Sequence, residues 1–215
     1  MSQTRRIRIG ITMRETDAPD YHETRDALAQ DWPAWMAVHL PDAQWLPIPN
    51  LGADAVSFAR DWRLNGYVFS GGADPGQSPL RDATEAVLLE EAVALQHPVL
   101  GICRGLQLLV MHFQGRLTTT AHHVAIPHTV NATGAGKGWF GMTTFDVNSF
   151  HNLAISAGDF PADLVALAVD GAGDVEAATH RQLPLTGIMW HPERHGPHSM
   201  MAPSLHLIRR VFGLR

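Results

Sequence analysis

One short segment limits what this chain can fold into, because it sets the only cysteine between two glycines directly after an apolar run. Residues 99–102 (VLGI) predict a short buried strand, and residues 106–113 predict a helix just beyond it. A strand that turns into a helix at Gly-x-Cys-x-Gly is typical of a nucleophile elbow, where the glycines relieve crowding around an exposed nucleophile. The helix N-terminus favours the thiolate, which is the reactive form. The pattern therefore favours Cys103 as a nucleophile over the alternative, a small buried apolar residue.

The first half of the chain alternates strand and helix patterns. Pro33 marks a kink or a restart in the first of the helices. Strand followed by helix, repeated, predicts a mainly parallel sheet with helices on both faces, which is a three-layer α/β fold. The predicted strands span residues 6–12, 44–48, 66–69 and 99–102, and the predicted helices span residues 24–38, 53–63, 81–95 and 106–113.

The second half of the chain has a different pattern. Residues 116–188 contain short, β-leaning apolar runs separated by Gly, Asn and Asp, which predict antiparallel additions to the sheet. A closing helix is predicted at residues 203–212. Because no repeat, low-complexity tract or linker interrupts the sequence, residues 1–215 predict a single domain.

Composition narrows the classes of function. A net charge of −5 argues against broad binding to nucleic acid or to an anionic membrane. One cysteine excludes an internal disulfide, and no stretch approaches the roughly eighteen apolar residues of a transmembrane helix. Since the first residues lack the apolar run and the cleavage site of a signal peptide, we expect a cytoplasmic protein.

A cysteine nucleophile needs a base, and the base needs a group that orients it. Near the end of the chain an apolar run leads to His191, and Glu193 follows two residues later. Pro192 limits the backbone between them, so that Glu193 can hold the imidazole and fix its tautomer. The order predicts a catalytic triad of Cys103, His191 and Glu193, with the backbone N–H of Arg104 facing the developing oxyanion.

Four landmarks follow one another along the chain: residues 70–74 (SGGAD), the cysteine elbow, residues 147–151 (VNSFH) and residues 190–194 (WHPER). In this order they resemble the class I glutamine amidotransferase-like γ-glutamyl hydrolases, in the branch that acts on γ-glutamyl-γ-aminobutyrate and related γ-glutamyl amides. The resemblance covers nearly the whole chain, from the first strand to about Arg194. It implies a flavodoxin-type fold and a cysteine hydrolase that forms a thioester and uses no cofactor.

The resemblance also implies roles for individual residues. Cys103 would attack the γ-glutamyl carbonyl, His191 would act as general base and then as acid, and Glu193 would orient His191. The backbone N–H groups of Gly72 and Arg104 would form the oxyanion hole. Contacts with the glutamyl group are implied for Gly71, Gln107, Ser149, Phe150 and His151.

An insertion after the first strand, residues 13–30, bears on the substrate. Its sequence YHETRDAL, followed by QDW, most resembles the γ-glutamyl-CDP-amidate hydrolases of capsular phosphoramidate pathways. Those enzymes remove a γ-glutamyl group from a nucleotide-linked phosphoramidate. Arg14, Arg25 or His22 are candidates to contact a pyrophosphate, because guanidinium groups suit phosphate oxygens. The alternative is that these residues are solvated charges of a loop and a helix start.

Two other functions stay open. One is hydrolysis of γ-glutamyl-γ-aminobutyrate. The other is a glutaminase subunit that passes ammonia to a synthetase; since 215 residues hold no synthetase domain, that role requires a separate synthetase partner. A free-standing hydrolase needs only its small γ-glutamyl substrate, and the sequence leaves open whether it is a monomer or a homodimer.

Non-enzymatic and metal-dependent functions are less well supported. A pseudoenzyme that serves as a binding module is disfavoured, because all three catalytic residue types are present in order. The histidine-rich segments fit no structural zinc spacing, and one cysteine excludes a multi-thiolate site, so we predict no metal site. Residues 119–145 match no motif. The potential ligands in those segments are His122, His123, His128, His191, Glu193, His195 and His198.

Overall fold

The structure is a computed structural model that describes residues 7–120, 124–194 and 201–214, with side chains from residue 206 onward in the last range. The strands are β1 (Arg8–Thr12), β2 (Arg14–Asp17), β3 (Thr24–Ala27), β4 (Gln44–Ile48), β5 (Gly66–Phe69), β6 (Val99–Ile102), β7 (Thr118–Thr119), β8 (His128–Ala132), β9 (Thr144–Val147), β10 (Leu153–Ala154), β11 (Leu164–Val169), β12 (Val175–His180) and β13 (Leu185–Ile188). The helices are α1 (Asp31–His39), α2 (Ala55–Asp61), α3 (Pro79–Leu95), α4 (Arg104–His112), α5 (Lys137–Phe140) and α6 (Met201–Val211), with 3-10 turns at Gly52–Asp54 and Ala157–Asp159.

Nine of the described strands form one sheet in the order β4-β1-β5-β6-β13-β12-β11-β8-β9. The pairs from β4 to β13 are parallel, and the pairs from β13 to β9 are antiparallel. The predicted parallel sheet with antiparallel additions is confirmed. Its parallel half matters for function, because the carboxyl ends of parallel strands meet at one edge.

Helices cover both faces of this sheet, as predicted. Successive residues of a strand point to opposite faces, and in β6 Leu100 and Ile102 join one apolar cluster while Val99 joins another. The first cluster contains side chains of α1, α5 and the end of α6, and the second contains side chains of α2, α3 and α4. The chain is therefore a three-layer α/β fold. That it forms a single domain stays a prediction.

The predicted helix over residues 24–38 is wrong in its first part. Residues 24–27 form β3, which pairs antiparallel with β2 to make a hairpin, and the helix begins only at Asp31. Tertiary bonding explains the difference, because the Asp26 carboxylate accepts from the Asn50 backbone N–H at 2.8 Å and from its side-chain nitrogen at 2.6 Å. Pro33 lies in the first turn of α1, where the missing N–H would have no partner within the helix.

The other predicted elements agree with the structure to within a few residues. Three strands, β4, β5 and β6, have the predicted bounds, and α3 begins two residues earlier than predicted, at Pro79. Between residues 124 and 188 the α-helical structure is the single turn α5, in keeping with the predicted β-rich segment. None of the described helices combines the length and the apolarity needed to cross a membrane.

Candidate active site

The predicted nucleophile and base follow two neighbouring parallel strands. Ile102 at the end of β6 is paired with Ile188 at the end of β13, and the Cys103 backbone N–H donates to the Ile188 carbonyl at 2.7 Å. His191 comes three residues after β13. The SGGAD segment follows β5, the next strand of the sheet, so the fold brings three of the four landmarks to one edge.

Cys103 lies at the N-terminus of α4 with φ 52° and ψ −103°, in a left-handed region that non-glycine residues rarely adopt. The flanking glycines allow the close approach of helix and sheet. A Cβ at Gly101 would lie 2.5 Å from the Gly105 carbonyl carbon, and a Cβ at Gly105 would lie 2.4 Å from the Phe69 carbonyl oxygen. The strand, strained turn and helix are thus the geometry that the Gly-x-Cys-x-Gly pattern predicts.

Burial raises the pKa of the Cys103 thiol to about 12. The backbone N–H of Arg104, directed at the sulfur, and the charge of Arg194 lower this pKa, whereas the carboxylates of Glu193 and Glu176 raise it. The helix N-terminus, which predicts a thiolate, is outweighed by burial. The resting side chain is therefore a neutral free thiol, which needs a base before it can attack.

His191 is held in one tautomer. Its ring is buried, and Nδ1 lies 2.7 Å from Glu193 Oε1, so Nδ1–H donates to the carboxylate. Nε2 is also buried and has no hydrogen-bond partner among the described residues. A neutral imidazole in this tautomer carries its lone pair on Nε2, which makes that nitrogen the available base.

Three neighbours fix the position of the His191 ring and backbone. The Phe150 ring stands edge-on to the imidazole, with centroids 5.6 Å apart, and a Cβ at Gly71 would lie 2.4 Å from His191 Cε1. Asn148 accepts from the His191 backbone N–H at 2.8 Å and donates to its carbonyl at 2.9 Å. Sequence reasoning assigned no role to Asn148, although it belongs to the VNSFH landmark.

The segment after β5 lies against a buried arginine. Arg81 donates to the carbonyls of Ser70 at 2.6 Å and Gly71 at 3.2 Å. A Cβ at Gly72 would lie 2.2 Å from Arg81 Nη1, so the position has no room for a side chain. Arg104, the other predicted oxyanion donor, is the first residue of α4 and has a fully buried side chain.

Gln107 lies one turn after Cys103 on α4 and is buried. Its side-chain nitrogen donates to the Leu153 carbonyl at 3.2 Å, while Oε1 is buried and has no hydrogen-bond partner among the described residues. The same carbonyl lies 3.0 Å from His151 Nδ1. Ser149 and His151 are buried, whereas Phe150 between them is partly exposed. Gln107 Oε1 is thus a buried acceptor without a hydrogen-bond partner among the described residues.

Glu176 on β12 is a buried carboxylate that sequence reasoning missed. Its oxygens lie 3.4 Å from His128 Nε2 and 3.5 Å from His151 Nε2. Burial raises the pKa of Glu176, but hydrogen bonds and charges from His128 and His151 prevail and lower it to about 2. The position gives no sequence signal beyond one acidic residue within a short strand, VEAATH.

Within the described residues, no three His, Cys, Asp or Glu side chains are arranged to hold a metal ion. Four of the histidines considered as ligands, His122, His123, His195 and His198, lie outside the described residues. The absence of a metal site stays a prediction for the chain as a whole.

The hairpin brings one of its two candidate arginines to the site. Arg14 lines a small cavity of about 30 Å³ together with Ser70, Gly71, His191, Glu193 and Arg194. Arg194, to which sequence reasoning gave no role, stacks its guanidinium over the Phe150 ring at 4.1 Å.

The other candidates lie farther along the hairpin. Arg25 is paired with Glu23 and hydrogen-bonded to Tyr21 in the exposed part of the hairpin. His22 is exposed in the turn between the two strands. The bonds from Asp26 to Asn50 hold the base of the hairpin to the body of the protein.

Comparisons with known proteins show the family and the fold of the chain. The family described as Peptidase C26 matches residues 9–193. The γ-glutamyl-CDP-amidate hydrolase of Campylobacter jejuni is 31% identical over 192 residues, which cover 86% of this chain and 90% of that protein. Component 2 of the aminodeoxychorismate synthase of Escherichia coli is 30% identical over 115 residues, covering 51% of this chain and 60% of that component. A crystal structure of a glutamine amidotransferase from Methylobacillus flagellatus shares the fold, with a TM-score of 0.69 at 16% identity over 98% of this chain and 95% of that one.

Proposed function

The chain belongs to the peptidase C26 family of class I glutamine amidotransferase-like proteins, and from this we propose that it is a cysteine hydrolase that cleaves γ-glutamyl-CDP-amidate into glutamate and the CDP-amidate. The observation that carries the proposal is the buried pair of His191 and Glu193 beside the Cys103 elbow. It combines a strained nucleophile position, a base with a free nitrogen and a carboxylate that fixes the tautomer.

In the first half of the reaction, the Cys103 thiol gives its proton to His191 Nε2 as the sulfur attacks the γ-carbonyl carbon. The carbonyl π electrons move onto oxygen, and the backbone N–H groups of Gly72 and Arg104 stabilise that oxyanion. Preorganised N–H donors in a buried site cost no reorganisation during the reaction, and losing one typically costs roughly 3–4 kcal/mol of barrier.

In the second half, the tetrahedral intermediate collapses. The C–N bond breaks, and the His191 imidazolium gives its proton to the leaving nitrogen, which leaves a γ-glutamyl thioester on Cys103. His191 then takes a proton from water as the water attacks the thioester. The C–S bond breaks, glutamate leaves, and the imidazolium returns its proton to the Cys103 sulfur. Glu193 stabilises the imidazolium each time it forms.

The glutamyl group requires recognition of an ammonium and a carboxylate. Gln107 Oε1 is a buried acceptor without a partner among the described residues, and it suits the ammonium because it lies one turn from the nucleophile. The buried Ser149 and His151 flank Phe150, whose ring contacts His191, and His151 shares the Leu153 carbonyl with Gln107. These groups support the glutamyl-binding roles that the family resemblance implies.

Two arginines near His191 support the proposal that the leaving group is negatively charged. Arg14 and Arg194 both line the small cavity that reaches His191, the residue that protonates the leaving nitrogen. Guanidinium groups bind phosphate oxygens in a bidentate manner, which suits the phosphoramidate and the pyrophosphate of a CDP-amidate. Arg25 is already paired with Glu23 and is therefore the weaker candidate. In this proposal the reaction belongs to the biosynthesis of a capsular phosphoramidate.

A substrate panel tests the proposal. The purified protein is incubated with γ-glutamyl-CDP-amidate, γ-glutamyl-γ-aminobutyrate and glutamine, and released glutamate is measured. We expect the highest kcat/KM for the amidate and no release by Cys103→Ala, which should unfold at the same temperature as the wild type. Equal turnover of all three compounds would contradict the substrate assignment, and glutaminase activity that requires a synthetase partner would support the amidotransferase alternative.

Arginine variants test the leaving-group contacts. Arg14→Ala and Arg194→Ala should each lower kcat/KM for the amidate about tenfold and leave that for glutamine within threefold. Arg60→Ala, on the exposed side of α2, is the matched control and should change neither value. Arg25→Ala decides whether the second hairpin arginine contributes. If Arg14→Ala and Arg194→Ala lowered kcat/KM equally for both substrates, the arginines would not distinguish the leaving groups.

A further inference from the structure

A buried ionic network lies directly behind the loop that carries the Gly72 N–H. Glu85 on α3 is fully buried between two arginines, with Oε1 2.9 Å from Arg81 Nε and Oε2 2.9 Å from Arg104 Nη2. Arg104 also lies 2.6 Å from Asp82, which is partly exposed. A buried network of this kind contributes little net stability, because desolvation offsets the attraction between the charges. Stability therefore does not account for this geometry. It is better explained by the groups that the network holds in position.

Arg81 sets the orientation of one peptide unit. Its two terminal nitrogens donate to the carbonyls of Ser70 and Gly71. The described residues contain no cis peptide bond, and in a trans peptide the C=O and the following N–H point in opposite directions. Because the Gly71 carbonyl points at Arg81, the N–H of Gly72 points away from it. Arg81 thus holds the Gly72 N–H so that it points away from the buried network.

Arg104 carries the second donor and is tied to the same loop. Its backbone N–H is directed at the Cys103 sulfur, and its side chain donates to the Ala73 carbonyl at 3.3 Å while it pairs with Glu85. The residue that supplies one N–H is therefore bonded through its own guanidinium to the loop that supplies the other. A shift of Glu85 would move both.

The network extends to the end of β1. Thr12 Oγ1 donates to Glu85 Oε1 at 2.7 Å and accepts from the Ser70 backbone N–H at 3.1 Å. Ser70 Oγ donates back to the Thr12 carbonyl at 2.7 Å. These bonds leave the loop after β5 little freedom to turn its carbonyls.

We propose that Glu85, acting through Arg81 and Arg104, is the positioning residue of the oxyanion hole. It sets the direction of both backbone N–H groups and touches neither the substrate nor the nucleophile. The inference rests on the proposed function and goes beyond it, because it assigns the geometry of the site to a carboxylate on α3. Family resemblance and sequence reasoning gave these side chains no such role.

Glu85→Gln keeps the shape of the side chain and removes its charge. We expect kcat for the γ-glutamyl substrate to fall about 10²-fold, as when one oxyanion donor is lost, with KM within threefold of the wild type. Affinity for a γ-glutamyl aldehyde, whose adduct with Cys103 carries an oxygen in the same place, should fall by a similar factor. Alkylation of Cys103 by iodoacetamide forms no oxyanion, so its rate should fall much less than kcat, although the Arg104 N–H also faces the sulfur.

Glu91→Gln is the matched control, because Glu91 lies on the same helix and pairs with Arg60 at 3.2 Å. It should change none of these values. If Glu85→Gln does not fold, Arg81→Lys replaces it: a lysine keeps the positive charge beside Glu85 but cannot reproduce the planar fork that holds two carbonyls. We expect the same pattern, with kcat and aldehyde affinity lowered and alkylation retained.

The outcomes separate this inference from the proposed function. A folded Glu85→Gln or Arg81→Lys protein with wild-type kcat overturns the positioning role alone. A loss of alkylation in step with kcat also overturns it, because the damage would then lie at the nucleophile. Wild-type protein that releases no glutamate from any γ-glutamyl amide overturns the proposed function and this inference with it.

Discussion

Gly71→Ala tests the position of the base, because it introduces a single methyl group against the His191 ring. The added Cβ would lie 2.4 Å from Cε1, 3.2 Å from Nε2 and 3.3 Å from Nδ1, whereas ordinary contacts begin at 3.4 Å. The ring must therefore move by about 1 Å to accept the methyl group. Gly71 does not have a positive φ, so the alanine adds no backbone strain of its own.

Any movement of the His191 ring would disturb one of its contacts. Glu193 holds Nδ1 at 2.7 Å, the Phe150 ring lies beside the imidazole, and Asn148 fixes the backbone with two hydrogen bonds. In the proposed mechanism Nε2 takes the Cys103 proton, so a shift of about 1 Å would misplace the base. Misplacement of a catalytic group by this amount costs about 10²-fold in rate, or about 2.7 kcal/mol of barrier.

The assay is kcat/KM for glutamate release from the γ-glutamyl substrate, with thermal unfolding measured in parallel. Gly134→Ala is the control, since its Cβ would meet no atom within 4 Å, and it should match the wild type in both measurements. A folded Gly71→Ala protein with kcat/KM within threefold of the wild type would refute the conclusion that the position of His191 limits catalysis.

Three other substitutions test separate features. Asn148→Ala removes both hydrogen bonds to the His191 backbone, so kcat should fall about tenfold with little change in KM; an unchanged kcat would mean that Pro192 and Glu193 suffice. Gly105→Ala sets a Cβ 2.4 Å from a backbone oxygen and should lower the free energy of unfolding in urea by about 1–3 kcal/mol, unlike Gly134→Ala. Because the pKa of Glu176 is lowered from its ordinary 4.5 to about 2, its contribution to stability is complete above pH 4.5 and is lost as pH falls toward 2. Glu176→Gln should therefore lose less stability than the wild type over that range in urea titrations, and equal losses would contradict the assignment.

The parallel half of the fold was predictable from short-range patterns. Residues 44–48, 66–69 and 99–102 are short apolar runs bounded by turn-forming or polar residues, and all three strands have the predicted bounds. The elbow was predictable for the same reason, because a strand, two glycines and a helix are adjacent in sequence. Given the parallel order of the strands, Cys103 and His191 then lie at the same edge of the sheet.

Features that depend on distant residues were not predictable. Residues 24–27 read locally as the start of a helix, but pairing with residues 14–17 and the bonds from Asp26 to Asn50 make them a strand. Arg81 and Glu85 look like an ion pair on an exposed helix face, since opposite charges four residues apart are common there. Both are buried in the structure, because their partners come from β1, the loop after β5 and α4.

The network of Glu85, Arg81 and Arg104 matters for the proposed reaction because the pKa of Cys103 is raised. In the resting site a thiolate is opposed by burial and by the carboxylates of Glu193 and Glu176, so the proton stays on sulfur. In the proposed reaction the proton moves to His191 as attack occurs, and the negative charge moves onward from sulfur to the carbonyl oxygen. In that reaction the oxygen would lie beside the N–H groups of Gly72 and Arg104, whose direction we propose is set by Glu85. Because the resting state is the neutral thiol, the barrier of the proposed reaction is lowered by what stabilises its transition state, namely N–H donors that face the developing oxyanion.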